Sequence, residues 1–135
     1  QLRRAVEVGV EAEDLPERTL QATVTPIRFA RRSVRLDAEA DRWLQRFAAD
    51  LASTGRPDRS GVRVVALAPD AEDDAARWML SARRSEAVAR RLRGLVGEGD
   101  RAVSAWGAGA GEGLARRLGA DPNRTFVLIL VEAER

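Results

Sequence analysis

From Phe126 to Val131 six apolar residues follow one another with no polar residue between them, inside the stretch "TFVLILVEA". A strand with one face in water shows a period of two, so a run without that period must lie at the centre of its sheet or be covered on both faces. A fold built around such a strand needs neighbouring strands on its flanks and layers packed against it. The rest of the chain supplies candidates for both.

Val6, Val8 and Val10 alternate with Glu7, Gly9 and Glu11, the pattern of a half-buried strand. Leu20, Ala22 and Val24 alternate again, Pro26 interrupts, and Ile27 and Phe29 resume, which puts this strand at an edge or gives it a bulge at Pro26. The residues "ARRSVRL" form a loop. Asp37 is then a good N-cap, Glu39 and Asp41 suit a first helical turn, and Ala40, Trp43, Leu44, Phe47, Ala48 and Leu51 make an apolar stripe. The breaker segment "STGRPDRSG" ends that helix, and "VRVVALA" from Val62 is a strand that stops at Pro69 and Asp70. A second helix runs from Asp74 to Leu95 and is closed by the glycines of "GEGD". "AVSAW" is a strand, "GAGAGEG" a loop and "LARRLG" a short helix before the final strand. This order predicts a layered α/β domain with two helices on one mixed sheet.

One residue is out of place. Leu80, Val88, Leu92 and Leu95 share a face of the second helix, and Arg84 falls among them. An unpaired guanidinium facing the interior costs several kcal/mol, so that face either opens on a pocket or meets a carboxylate.

Composition removes most other functions. The chain of 135 residues suits one domain and contains no Cys, His, Lys or Tyr. The usual nucleophile–base pairings are therefore missing, no disulfide can form, and metal ligands reduce to carboxylates, which points away from an enzyme. Asp70, Glu72, Asp73 and Asp74 lack the spacing of a calcium loop and read as a solvated lead-in to a helix N-terminus, so no metal or cofactor is expected. The glycines from Gly107 to Gly113 match no nucleotide-binding pattern, and there is no lysine to reach a phosphate. The pI of 10.7 accompanies a net charge of only +2, because almost nothing titrates between the carboxylates near ~4 and the guanidiniums above ~12. Glu86 and the acidic loop dilute the run Arg83, Arg84, Arg90, Arg91 and Arg93, and no aromatic residue is interleaved with it, so nucleic acid is not an expected partner. No apolar run approaches ~18 residues, so no membrane-spanning helix is expected. The start at Gln1, without Met, suggests a processed chain or a piece of a longer one.

Four segments carry a resemblance. "IRFARRSVRLDAEADRWLQRFAADL", "VRVVALAPDAEDDAARWMLSARRSEAVARRL", "VSAWGAGA" and "NRTFVLIL" resemble, in order, successive blocks of the OmpA-like C-terminal domain, the peptidoglycan-associated module of outer-membrane proteins, Pal lipoproteins and flagellar stator proteins. The match is strongest at Leu80-Ser81-x-x-Arg84, Gly107-x-Gly109 and Asn123-Arg124. The resemblance implies a βαβαβ-type two-layer α+β sandwich over residues 27–135, its mixed sheet carrying two main helices on one face. Residues 1–26 would add an extra N-terminal strand and a lead-in.

It also implies a non-catalytic cell-wall anchor in the periplasm, gripping the diaminopimelate-bearing stem peptide of peptidoglycan. Asp70 would hold the ligand's ammonium and Arg84 its carboxylate, with Arg124 a second guanidinium beside the pocket. A zwitterionic head group needs such a pair, and a planar guanidinium offers two parallel donors to a carboxylate. The sequence departs from the family pattern around that site. Arg32 and Arg77 stand where the family places asparagines, Pro69 precedes Asp70, and Thr125 replaces the second arginine of the closing motif. These changes leave open a second reading, a degenerate module used for homodimer formation or for contact with an envelope protein, with Asp70 and Arg84 as a structural ion pair.

Overall fold

The computed structural model describes residues 2–6, 19–53, 61–96 and 103–133, and it sets the apolar run in the middle of a sheet. β5 (Val127–Ala133) pairs antiparallel with β2 (Thr19–Val24) on one flank and with β3 (Val62–Ala66) on the other. β1 (Leu2–Val6) extends the sheet antiparallel to β2, and β4 (Val103–Gly107) extends it parallel to β3, giving the order β1-β2-β5-β3-β4. A parallel pair needs a crossover, and α2 (Asp74–Val96) provides it between β3 and β4.

Successive residues of β5 are buried because both sheet faces are covered. Val127 and Ile129 join the large cluster with Phe47, Val64, Val88 and Leu92 under α1 (Ala38–Ser53) and α2. Leu128 and Leu130 join a smaller one with Ala22, Val65, Leu67 and Leu118, where the residues after α3 (Glu112–Arg117) close the opposite face. The two main helices share one face, as the patterning predicts, and the short third helix serves the other.

The helices begin where the sequence places them. Asp37 Oδ1 accepts the Ala40 amide at 2.8 Å, and Asp73 Oδ1 accepts the Ala76 amide at 2.8 Å, so each caps its helix. The α1 stripe is buried from Ala40 to Leu51, with Trp43 and Phe47 stacked at 5.2 Å. Arg91 on α2 pairs with Asp41 on α1 and holds the two helices side by side.

Two strand expectations change. β2 is internal, between β1 and β5, and is not an edge. Its ladder ends at Val24, before Pro26, so the missing proline donor costs no strand hydrogen bond. The Thr25 amide and hydroxyl both still donate to Val127 O, and Ile27 and Phe29 then enter the core from an extended segment outside the ladder. The first strand covers Leu2–Val6, whereas Val8 and Val10 lie outside the described residues.

α2 meets β4 closely enough to exclude a side chain at Gly107. A Cβ there would lie 2.6 Å from the Ala82 amide nitrogen and 2.8 Å from Ser81 Oγ. Ser81 Oγ in turn accepts the Gly109 amide at 3.0 Å and donates to Trp78 O. The Leu-Ser and Gly-x-Gly motifs are thus two sides of one helix–strand contact. Gly107→Ala should destabilise the fold by about 1–3 kcal/mol in urea titrations, as overpacking does. Gly113→Ala, where nothing lies within 4 Å of the new Cβ, should be neutral or slightly stabilising in the same assay.

Candidate functional site

Arg84 leaves the core-facing stripe of α2 and is fully buried, with 0% of its surface exposed. Its guanidinium carbon lies 4.9 Å from the centre of the Phe29 ring and 5.2 Å from that of Phe126. Two aromatic faces favour a cation but supply no hydrogen-bond acceptors. The acceptors come from two loops, the one before α1 and the one between β3 and α2. Nη1 donates to Asp70 Oδ1 at 2.6 Å and Nη2 to Oδ2 at 2.7 Å, a bidentate pair. Nε donates to Ser33 O at 2.9 Å, Nη1 to Leu67 O at 3.3 Å and Nη2 to Ala30 O at 3.4 Å. Five contacts match the five N–H donors of the group, so burial leaves none unsatisfied.

Asp70 reaches this position because β3 ends at Ala66 and the chain turns at Pro69 and Asp70. Its side chain keeps 19% exposure, so one edge faces solvent. Burial is the largest single influence on its carboxyl and opposes ionisation. The hydrogen bonds from Arg84 and from the Arg32 amide, with the guanidinium charge, outweigh it and hold the carboxyl below its ordinary value of 3.8.

The other predicted residues divide. Arg32 joins the site through its backbone, donating its amide to Asp70 Oδ2 at 3.2 Å from a left-handed conformation with φ 61°. Its side chain pairs with Glu72, which also lies 3.7 Å from Arg31. Arg77 turns away from the pair, donating to Ala71 O at 3.1 Å and pairing with Asp74. Arg124 is exposed, next to a turn in which Asp121 Oδ1 accepts the Asn123 amide and Asp121 O accepts the Thr125 hydroxyl. The structure therefore brings Asp70, Arg84 and Arg32 together and leaves Arg77 and Arg124 outside the hydrogen-bonded cluster. Beside it lies a groove of about 350 Å³ lined by Arg32, Glu72, Asp73, Met79, Leu80 and Arg83 among others.

The acidic run is dispersed rather than pooled. Asp70 serves Arg84, Glu72 serves Arg32, Asp73 caps α2 and Asp74 serves Arg77. Among the described residues no group of three or more acidic side chains is placed to hold a metal ion.

Sequence reasoning passes over the aromatic pair and the carbonyls. Phe29 and Phe126 read as ordinary core positions, and no side-chain signal marks Ala30, Ser33 or Leu67 as acceptors. The one clue is an arginine on an apolar stripe, which demands acceptors without saying where they are.

No protein-family model matches the sequence, and no curated protein does. Solved structures do match in fold. The periplasmic domain of Helicobacter pylori MotB superposes with a TM-score of 0.66 at 11% identity, over 98% of this chain and 88% of that one. The OmpA-like domain of FopA1 from Francisella tularensis gives a TM-score of 0.56 at 18% identity over 98% and 96%. The cell wall anchor of the T6SS from Pseudomonas aeruginosa gives 0.58 at 24% identity over 90% and 86%.

Asp70→Asn should destabilise the protein near neutral pH by about 3 kcal/mol, because it leaves a buried guanidinium without its counter-charge. A carboxyl with a lowered folded-state pKa contributes fully above its unfolded value of 3.8, and the contribution disappears as pH falls through the folded value. Denaturant titrations of both proteins should show the gap between them closing below about pH 4.

Proposed function

We propose, from the premise that this chain has the OmpA-like fold, that it is a non-catalytic cell-envelope module docking on the stem peptide of peptidoglycan. The observation that carries the reading is the bidentate Arg84–Asp70 pair at the end of β3, with one edge of the acid still open to solvent. The P. aeruginosa neighbour's description as a cell wall anchor, and the H. pylori neighbour's as a periplasmic domain, support the same setting.

In this reading the exposed edge of Asp70 takes the ammonium of the diaminopimelate head group. Arg84 takes the carboxylate by exchanging backbone carbonyl contacts, the longest of them to Ala30 O at 3.4 Å, for the ligand's oxygens. Exchange is the only route open to it, because a guanidinium with five satisfied donors has no sixth. Arg124, exposed beside the closing turn, contributes positive charge near the site, whereas the charges of Arg32 and Arg77 are met by Glu72 and Asp74.

One observation favours a second reading. The same saturation of Arg84 suits a pair that is purely structural, in a module that has turned to contacts with its own copies or with another envelope protein.

Co-sedimentation with purified sacculi separates the two. The anchor reading expects the unmodified protein to pellet with sacculi and to be released by free meso-diaminopimelate. Protein that stays in the supernatant at sacculus excess, while forming a dimer in sedimentation velocity runs, would overturn it in favour of the second.

A further inference from the structure

The segment 30–33 occupies the Arg84–Asp70 pair in a particular pattern. Its oxygens, Ala30 O and Ser33 O, face the guanidinium, and its amide, that of Arg32, faces the carboxylate. Oxygen on the cation and N–H on the acid is also the arrangement that an amino-acid zwitterion would present to this pair. We infer that this segment is a built-in pseudo-ligand, which caps the pair and must yield before an amino-acid head group can enter. The inference rests on the peptidoglycan reading and adds a regulation to it.

Two features show how the cap is held. Arg32 is the non-glycine residue among those described with a positive φ, at 61°, a conformation that L residues adopt only when their surroundings impose it. The segment closes its own turn, the Ser33 amide donating to Ala30 O at 2.9 Å, and at the rim a clasp fastens it, in which Arg32 and Arg31 both reach Glu72. All three clasp side chains are more than 60% exposed, whereas Arg84 beneath is fully buried. An exposed ion pair is weak and easily broken, so the cap is set on a rigid base and closed by a loose fastening. Arg32 and Glu72 both line the adjacent groove, so parting them widens the space beside Asp70.

The exchange itself conserves hydrogen bonds, since ligand oxygen replaces backbone carbonyl and ligand ammonium replaces the Arg32 amide. The balance between capped and open forms then falls to the clasp. Any ligand that binds the open form alone is weakened by the fraction of molecules that are closed.

The test measures binding of meso-diaminopimelate, and of sacculi, to the unmodified protein, to Glu72→Gln and to Arg32→Ala. Neither substitution touches the buried core. Both should tighten binding by about three- to fivefold, the population shift expected from losing an exposed ion pair. Both should also speed hydrogen exchange at the residue 32 amide in the free protein. A simple field effect would move the two variants in opposite directions, because one loses a negative charge and the other a positive charge. Opposite shifts, or affinities unchanged in both, overturn the cap while leaving the anchor reading in place. Binding by none of the three proteins overturns both.

Discussion

A guanidinium buried to the last ångström of its surface is tolerable only if every one of its five donors finds an oxygen, and this requirement shapes the functional end of the molecule. Arg84 draws its acceptors from the segment before α1 and from the segment between β3 and α2, which lie far apart in sequence. Removing any acceptor strands a donor in a low-dielectric interior, where an unmet polar group costs about 1–3 kcal/mol and more when charged. The two loops are therefore fixed relative to α2 by polar chemistry rather than by apolar contact, while Phe29 and Phe126 close the sides.

The same use of arginine recurs elsewhere. Arg93 donates from Nε and Nη2 to Val103 O, tying the last turns of α2 to the first residue of β4. Arg77 donates to Ala71 O and steadies the turn ahead of α2. A lysine presents a compact, strongly hydrated charge and could not spread its donors over a fork of carbonyls in this way. The absence of lysine from the chain thus has structural consequences, whatever its origin, and the high pI follows from that composition rather than from a basic surface. Arginine's role here is largely internal bracing.

The likeness to OmpA-like structures at 11% to 24% identity is intelligible in these terms. A fold of this kind asks for a central apolar strand, two amphipathic helices on one sheet face, and a close helix–strand contact at Gly107. Many sequences meet those conditions. The details on which the proposed binding rests are finer: which residue sits at position 32, whether residue 70 is an acid, and what clasps the loop beside it. None of these positions lies in a strand of the sheet.

By itself, the sequence determined the layered class, a last strand that is central or covered on both faces, both long helices and the Asp37 cap of the first, and the presence of an arginine that had to be answered inside the core. Period and capping are local properties, legible over a few residues. The first strand and the role of Pro26 were less legible, because whether a proline interrupts a ladder depends on where the partner strand ends. Only the tertiary structure decided which groups answer Arg84, that Arg77 and Arg124 stay out of its cluster, and that the 30–33 backbone covers the pair. Backbone carbonyls and amides belong to every residue alike, so nothing in the identity of Ala30, Ser33 or Leu67 announces them; their selection waits on the meeting of segments separated by 17 to 54 positions in the chain.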